Sequence, residues 1–321
     1  MNYPTITGLD IGHHSIKAAS VRLKRSQLEL VGYHEIPLPR SVFVEDGSLL
    51  NESVEQYLSQ LKREVNFTQK KVAFSIPDSC VMSKQIQLEI PLDEKEIESS
   101  LIYAFEKQTS LPSEALNIDF FALNQLEKSS SEITVYQVFA TRKEIVHTRQ
   151  KYIEGAGFSA VLAEVSSHAL LALWQRGVMM DPDKKSWMLV DIGYRQTTFC
   201  IISLNKELYS KQVSFGASMA QSIHNRAQYI TQLSEHLARQ ITLYSSIYDH
   251  KVEGIWVTGG GSLLPELSSL LSDELALPVL ELNLLSLFQS SSKSLSPTGI
   301  SMNQYASALG LGLRGIEWLT K

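Results

Sequence analysis

Two copies of one short pattern, Asp10-Ile11-Gly12 and Asp191-Ile192-Gly193, constrain this chain more than any other feature. Each ends an apolar run, 5–11 or 187–192, and each is followed by two further runs of alternating polarity. Those runs are 16–23 and 28–36 after the first copy, and 197–204 and 208–215 after the second. Period-two alternation between short polar turns reads as strands, so both segments are β-β-β meanders. A helix follows each meander. The first starts at Asn51, an N-cap type, with Val54, Tyr57, Leu58, Leu61 and Val65 at helical spacing. The second carries Leu233, Leu237, Ile241, Tyr244 and Tyr248 on one face. A closing strand, 72–76 or 255–258, completes each unit. One Asp-x-Gly after a strand is an ordinary turn. The same turn opening two matching units is a duplication, and it excludes a plain dinucleotide-binding sheet.

Between the units lies a block of different order. A strand over 81–88 precedes a helix whose start carries the Asp93/Glu96 capping-box pattern and whose stripe is Ile97, Leu101, Ala104 and Phe105. The runs 116–124 and 133–141 read as a hairpin about a polar turn at 127–131. A helix over 143–154 then ends at Gly155 and Gly157. This β-α-β-β-α block is expected to be an inserted subdomain, 79–159. The first lobe is then 1–78, 160–186 and a terminal helix in 305–321, where Gly310 and Gly312 offer a face for close packing. The second lobe is 187–304, with a shortened outer part near 216–232. The serine-rich stretch 290–297 reads as a loop.

Composition narrows the function classes. With 321 residues, 44% of them hydrophobic, the chain can bury a large core, and its net charge of -5 lacks the basic footprint of a nucleic-acid binder. Two distant cysteines, Cys80 and Cys200, suit a reducing compartment and build neither a disulfide scaffold nor a zinc site. The start Met1-Asn2-Tyr3-Pro4 has no basic segment of a secretion signal, and no apolar run reaches the ~18 residues of a membrane span. The expectation is a soluble cytoplasmic protein. Neither a P-loop nor a Gly-x-Ser-x-Gly elbow is present, and the histidines show no metal-ligand spacing.

The repeated turns carry the chemistry. A tight turn between two strands presents successive backbone N–H groups, a nest that binds phosphate without a basic side chain. Gly12 and Gly193 let each backbone approach a ligand closely. Asp10 and Asp191, at the strand ends, are expected to hold a hydrated Mg²⁺ between them, directly or through water. The run Thr258-Gly259-Gly260-Gly261-Ser262 leads from a strand into a glycine turn and a helix, where backbone can pass against a flat base or ribose.

These three motifs resemble the phosphate 1, phosphate 2 and adenosine motifs of the actin and heat-shock-chaperone ATPase superfamily. Within it the chain is similar to the PilM family, actin-like proteins of bacterial type IV pilus assembly. The resemblance is carried by Gly8-Leu9-Asp10-Ile11-Gly12-His13-His14-Ser15-Ile16-Lys17, Pro37-Leu38-Pro39, Ser75-Ile76-Pro77-Asp78-Ser79, Ala140-Thr141-Arg142-Lys143-Glu144 and the run from Ala306 to Arg314. It spans nearly the whole chain.

The resemblance implies a duplicated ribonuclease-H-like, actin-like α/β fold with an inserted subdomain as in the cell-division protein FtsA. It implies ATP and Mg²⁺ as cofactors. The contacts would come from Gly12, His13, His14, Ser15 and Lys17 in the first turn. Gly193, Tyr194, Arg195, Gln196 and Thr197 would serve in the second turn, with Gly259, Gly260, Gly261 and Ser262 at the adenosine loop. Arg195 is either a phosphate contact or a solvated turn residue. Glu164, between the lobes, would join Asp10 and Asp191 as a catalytic group by orienting a water, or else is a structural carboxylate. Turnover, where it occurs, is expected to be slow and to serve switching. The implied partner is the cytoplasmic N-terminus of the inner-membrane protein PilN, alongside other pilus platform proteins and self-association. The protein would lie against the inner membrane through that partner, without inserting. The bulky Tyr194-Arg195-Gln196 and the short stretch after Phe215 depart from the family pattern. They leave open a nucleotide-independent scaffold. A small-molecule kinase is a third reading, for which the chain offers no compact substrate cluster.

Overall fold

The opening meander forms as its alternation dictates: β1 (Thr5–Ile11), β2 (Ser15–Lys24) and β3 (Gln27–Pro37) pair antiparallel in sequence order. Arg25 and Ser26 both have positive φ, the conformation whose twist suits a two-residue hairpin. The structure is a computed structural model that describes residues 3–321 apart from 40, 45–47, 65–69, 90–92, 110, 124–132, 223–225 and 291–300. Val65, the turn 127–131 and residues 291–297 of the expected loop therefore lie outside the described residues. Helix α1 (Val54–Glu64) starts where Asn51 accepts the Ser53 N–H at 3.0 Å, and it buries Val54, Leu58 and Leu61. Strand β4 (Lys71–Ile76) returns parallel to β1.

The interrupting block comprises β5 (Val81–Glu89), α2 (Glu94–Thr109), β6 (Leu116–Ala122) and β7 (Ile133–Arg142). Its sheet runs β5-β7-β6, and its own small core joins Ile86, Leu101, Phe105, Leu116 and Val138. Asp93 and Glu96 close a reciprocal capping box, each side chain accepting the other's N–H at 2.9 Å. Helix α3 (Lys143–Gly155) packs elsewhere: its Ile145 and Ile153 are buried with α1 on the outer face of the first sheet. By packing, the inserted layer is three strands and one helix.

Strand β8 (Ser159–Val165) lies beside β4, and α4 (Ser166–Met180) crosses to the second unit. That unit repeats the first with β9 (Trp187–Ile192), β10 (Thr197–Ile202) and β11 (Leu208–Val213). A short α5 (Ser218–Ser222) and the long α6 (Arg226–Tyr248) follow. Strand β12 (Gly254–Thr258) is parallel to β9, and the glycine run then makes a 3-10 turn at Gly260–Leu263 before α7 (Leu267–Leu275). Strand β13 (Val279–Glu281) completes the sheet order β11-β10-β9-β12-β13.

The chain then crosses back. Strand β14 (Gln289–Ser290), which the sequence places at the start of a loop, pairs with β3 and makes the first sheet β14-β3-β2-β1-β4-β8. Helix α8 (Ala306–Thr320) packs with α4 between the two sheets, in one apolar core that runs through both lobes. Glycine makes that packing possible. A Cβ on Gly8 would sit 1.9 Å from the Ala308 carbonyl oxygen, and one on Gly310 would sit 2.1 Å from that of Ala169. Backbone touches backbone at both crossings.

Candidate functional site

The two repeated turns have the same internal wiring. Gly12 N–H donates to the Ser15 carbonyl at 3.0 Å, and Gly193 N–H donates to the Gln196 carbonyl at 2.9 Å. A Cβ would come within 3.1 and 2.9 Å of those same oxygens, tight at Gly12 and a clash with backbone at Gly193. Each turn is also latched from just past the third strand. Leu38 N–H donates to the His14 carbonyl at 2.8 Å, while Ala217 and Ser218 donate to the carbonyls of Gly193 and Tyr194 at 2.9 and 2.8 Å. Gly216 lies against the second turn so closely that a Cβ would be 2.6 Å from the Tyr194 carbonyl oxygen. Sequence reasoning did not single out Gly216.

The repetition extends to the aspartates. Asp10 accepts the Ser75 hydroxyl of β4 at 3.5 Å, and Asp191 accepts the Thr258 hydroxyl of β12 at 3.0 Å. Both hydroxyls come from the closing strand beside the aspartate's own strand, a role that only the strand register reveals. Burial pushes the Asp191 carboxyl up to about 6, and the nearby Asp10 charge adds to the rise. Burial raises Asp10 as well, against the pull of Lys17. Lys17 stands opposite Asp10 on β2 and acts electrostatically on both aspartates. Its ammonium donates to Ser15 Oγ at 2.6 Å and lies 3.5 Å from Glu35. Lys17 therefore pairs with Glu35 while its charge also reaches both aspartates.

The turn tips meet across the cleft. The His14 and Tyr194 rings stand 5.0 Å apart, tilted by 31°, and His13 stacks on Phe43 at 4.4 Å. Burial, with the Arg195 charge facing it, pushes His13 down to about 4, so this ring is neutral at physiological pH. Arg195 itself is exposed, and its charge is felt at His13. At the third motif, Gly259 has φ of +84° and Gly261 abuts Ile192, where a Cβ would be 2.3 Å from its Cγ2. Only Gly260 faces open space, while Ser262 is buried and donates to the Gly259 carbonyl at 2.8 Å. Two of the three glycines thus seat the loop on β9. Thr197 donates to the Phe215 carbonyl at 2.6 Å and braces the second turn from within.

Glu164 stands apart from the aspartates. It is the register partner of Ser75, two strands along from Asp10 on the same sheet face. Its carboxylate is taken by Arg314 of α8 at 2.7 Å and His168 of α4 at 3.2 Å. Burial alone would raise it, but those two partners outweigh burial and hold it below the usual carboxylate range. Beside this network lies a cavity of about 370 Å³ between the first lobe and the inserted block. Its walls include five consecutive residues of β6, 117–121, and four of β8, 162–165, with Arg314 and Trp318 of α8 closing it. Both β6 and β8 are edge strands, so their unpaired backbone borders the cavity.

A family model described as type IV pilus assembly protein PilM matches residues 8–229, more than half of the chain. The chain belongs to the PilM family. Among solved structures, this PilM-family chain is similar to one described as the PilM-PilN type IV pilus biogenesis complex, with a TM-score of 0.78 at 21% identity over 97% of this chain and 98% of that one. It is also similar to a diol dehydratase-reactivating factor in nucleotide-free form, with a TM-score of 0.54 at 8% identity over 98% and 100% of the two chains. The ethanolamine utilization protein EutJ from Carboxydothermus hydrogenoformans gives 0.52 at 15% identity over 98% and 90%. The fold is the actin-like α/β fold expected from the repeat. Among the described residues no helix of this PilM-family protein is long and apolar enough to cross a membrane.

Proposed function

We propose that this PilM-family chain binds ATP with Mg²⁺ between its two turns and docks an extended peptide of PilN in the cavity beside the inserted block. The observation that carries the nucleotide reading is the matched pair of glycine turns facing each other over two carboxylates and one lysine. Backbone N–H groups at the turns favour anionic oxygens. The donor set suits a hard cation: Asp10 and Asp191 offer only oxygen, and their raised affinity for protons reflects buried negative charge that a divalent ion would neutralise. Among the described residues no cluster of three or more His, Cys, Asp or Glu could hold a metal. Two carboxylates alone leave the remaining coordination positions to water and phosphate oxygens, as Mg²⁺ prefers. Bound there, Mg²⁺ would screen phosphate charge. Lys17 would balance the carboxylates, exposed Arg195 would meet a phosphate, and open Gly260 would offer backbone to the nucleoside.

The peptide reading rests on the cavity's form. Two edge strands lend main-chain hydrogen-bonding groups, and Ile118, Phe120 and Trp318 lend apolar contact, as strand-addition recognition requires. The family and the PilM-PilN likeness support PilN as the partner. Glu164, engaged by Arg314 and His168, then positions α8 at the cavity wall instead of activating water.

A second reading, a scaffold that works without nucleotide, is favoured by the His14–Tyr194 contact, which already fills space between the turns. Calorimetric titrations separate the two. The first reading predicts saturable ATP binding that chelation of Mg²⁺ abolishes, and separate saturable binding of a PilN N-terminal peptide. Peptide binding with no ATP binding up to millimolar concentrations would establish the second.

A further inference from the structure

We infer that the peptide groove continues past the inserted block into a second cavity that reaches the second lobe, where it takes the continuation of the same peptide. This inference rests on the peptide reading above. The second cavity is the larger, about 480 Å³. One wall is β5, through the alternate residues Val81, Ser83 and Gln85 that share one strand face. The opposite wall is β11, through Leu208, Ser210, Lys211 and Gln212. Both β5 and β11 are edge strands of their sheets, so each borders the cavity with unpaired main-chain groups.

The two cavities share a partition of rings. Phe121, Phe139 and His168 line both. Phe139 stacks on Phe121 at 5.9 Å and meets the edge of the His168 ring at 4.9 Å. A chain lying over Phe139 in the first cavity therefore reaches the border of the second. The lining stays mixed across that border: Asn117, Glu164 and Arg314 stand beside Ile118, Phe120 and Trp318 in the first cavity, and Ser83, Gln85 and Ser210 stand beside Val81, Leu123 and Leu208 in the second. The occupant this selects is one extended peptide with polar and apolar side chains along its whole length. Only the second cavity touches the second lobe. A peptide bridging β5 and β11 has its affinity tied to their separation, and linkage makes lobe position and peptide binding respond to each other reciprocally.

The test uses the full chain and two peptides from the N-terminus of the PilN partner, about 8 and about 16 residues long, roughly 27 and 54 Å when extended. Both are titrated into the wild type and into Ser210→Trp, which fills the second cavity from β11 and leaves the first untouched. The long peptide is expected to bind about tenfold tighter than the short one, a difference of ~1.4 kcal/mol. In Ser210→Trp that advantage disappears while the short peptide binds as before, which also verifies the fold. Equal affinities in the wild type, or an advantage that survives Ser210→Trp, would overturn the extension and leave the first cavity standing. Binding of neither peptide would overturn the peptide reading itself, and the extension with it.

Discussion

The first and second turns share a backbone and differ in everything attached to it. Both close on a glycine N–H, both are latched from beyond the third strand, and both set an aspartate beside a hydroxyl of the closing strand. The side chains diverge. Opposite Asp10 stands Lys17, whereas opposite Asp191 stands Thr198. Two residues before Asp10 is Gly8, pressed on the α8 backbone, whereas two before Asp191 is the buried Leu189. At the tips, His13 and His14 face Tyr194 and Arg195. The difference teaches that the duplication kept the glycine closure and the aspartate–hydroxyl pair, and that the side chains around them diverged. One half supplies the cation and seats the terminal helix; the other supplies the bulky tip.

The severest way to break this comparison is to make the first half imitate the second. Gly8→Leu drives a side chain into the Ala308 carbonyl, and we expect a loss of about 3 kcal/mol or more, read as a collapse of the thermal melt. A melt within a few degrees of wild type would show that α8 is not held as described.

A smaller effect, of order 2 kcal/mol, concerns Asp191. Its carboxyl takes up a proton at about pH 6 in the fold, against ~4 in an unfolded chain. The folded state therefore binds more protons between those values. The group's contribution to stability is complete below about pH 4 and is lost as the pH rises through 6. Asp191→Asn keeps an acceptor for Thr258 and removes the charge, so without ligand it should melt higher than wild type at pH 8, by less at pH 5. Denaturant titrations at both values check this, and a destabilised variant at pH 8 would contradict it. Mg-ATP binding to the wild type should weaken as the pH falls through 6, because the cation and the proton compete for the same oxygens.

The smallest effect probes the tips. Tyr194→Ala and His14→Ala should each cost about 1 kcal/mol, and the double variant less than their sum, because one ring contact is being removed twice. Strict additivity in urea denaturation would mean that the rings do not interact.

Much of this was legible in the sequence because it is written in local period. The alternating runs, the Asn51 and Asp93 starts and the two Asp-Ile-Gly turns depend on neighbours within a few residues. The remainder depends on distant partners. Strand β14 is two residues long and pairs with β3 across some 260 positions of chain, too short to leave a period. Helix α3 follows the inserted strands in sequence yet packs on α1, a choice made by its tertiary neighbours. In the sequence Glu164 reads as either a water-orienting or a structural acid, and its partner Arg314, 150 residues later, appears only in the fold. Ser75 and Thr258 lie in visible motifs, but only strand register puts their hydroxyls on the aspartates. The aspartates and glycines could be named from the repeat; their companions required the fold.

The central claim, that the two unequal turns form one nucleotide site, is tested most directly by titrating Mg-ATP into the wild type, Asp10→Ala and Asp191→Ala side by side. One saturable site in the wild type, weakened about tenfold or more in both variants, is the predicted result. Wild-type affinity in either variant, or no binding to the wild type at millimolar ATP, would contradict it.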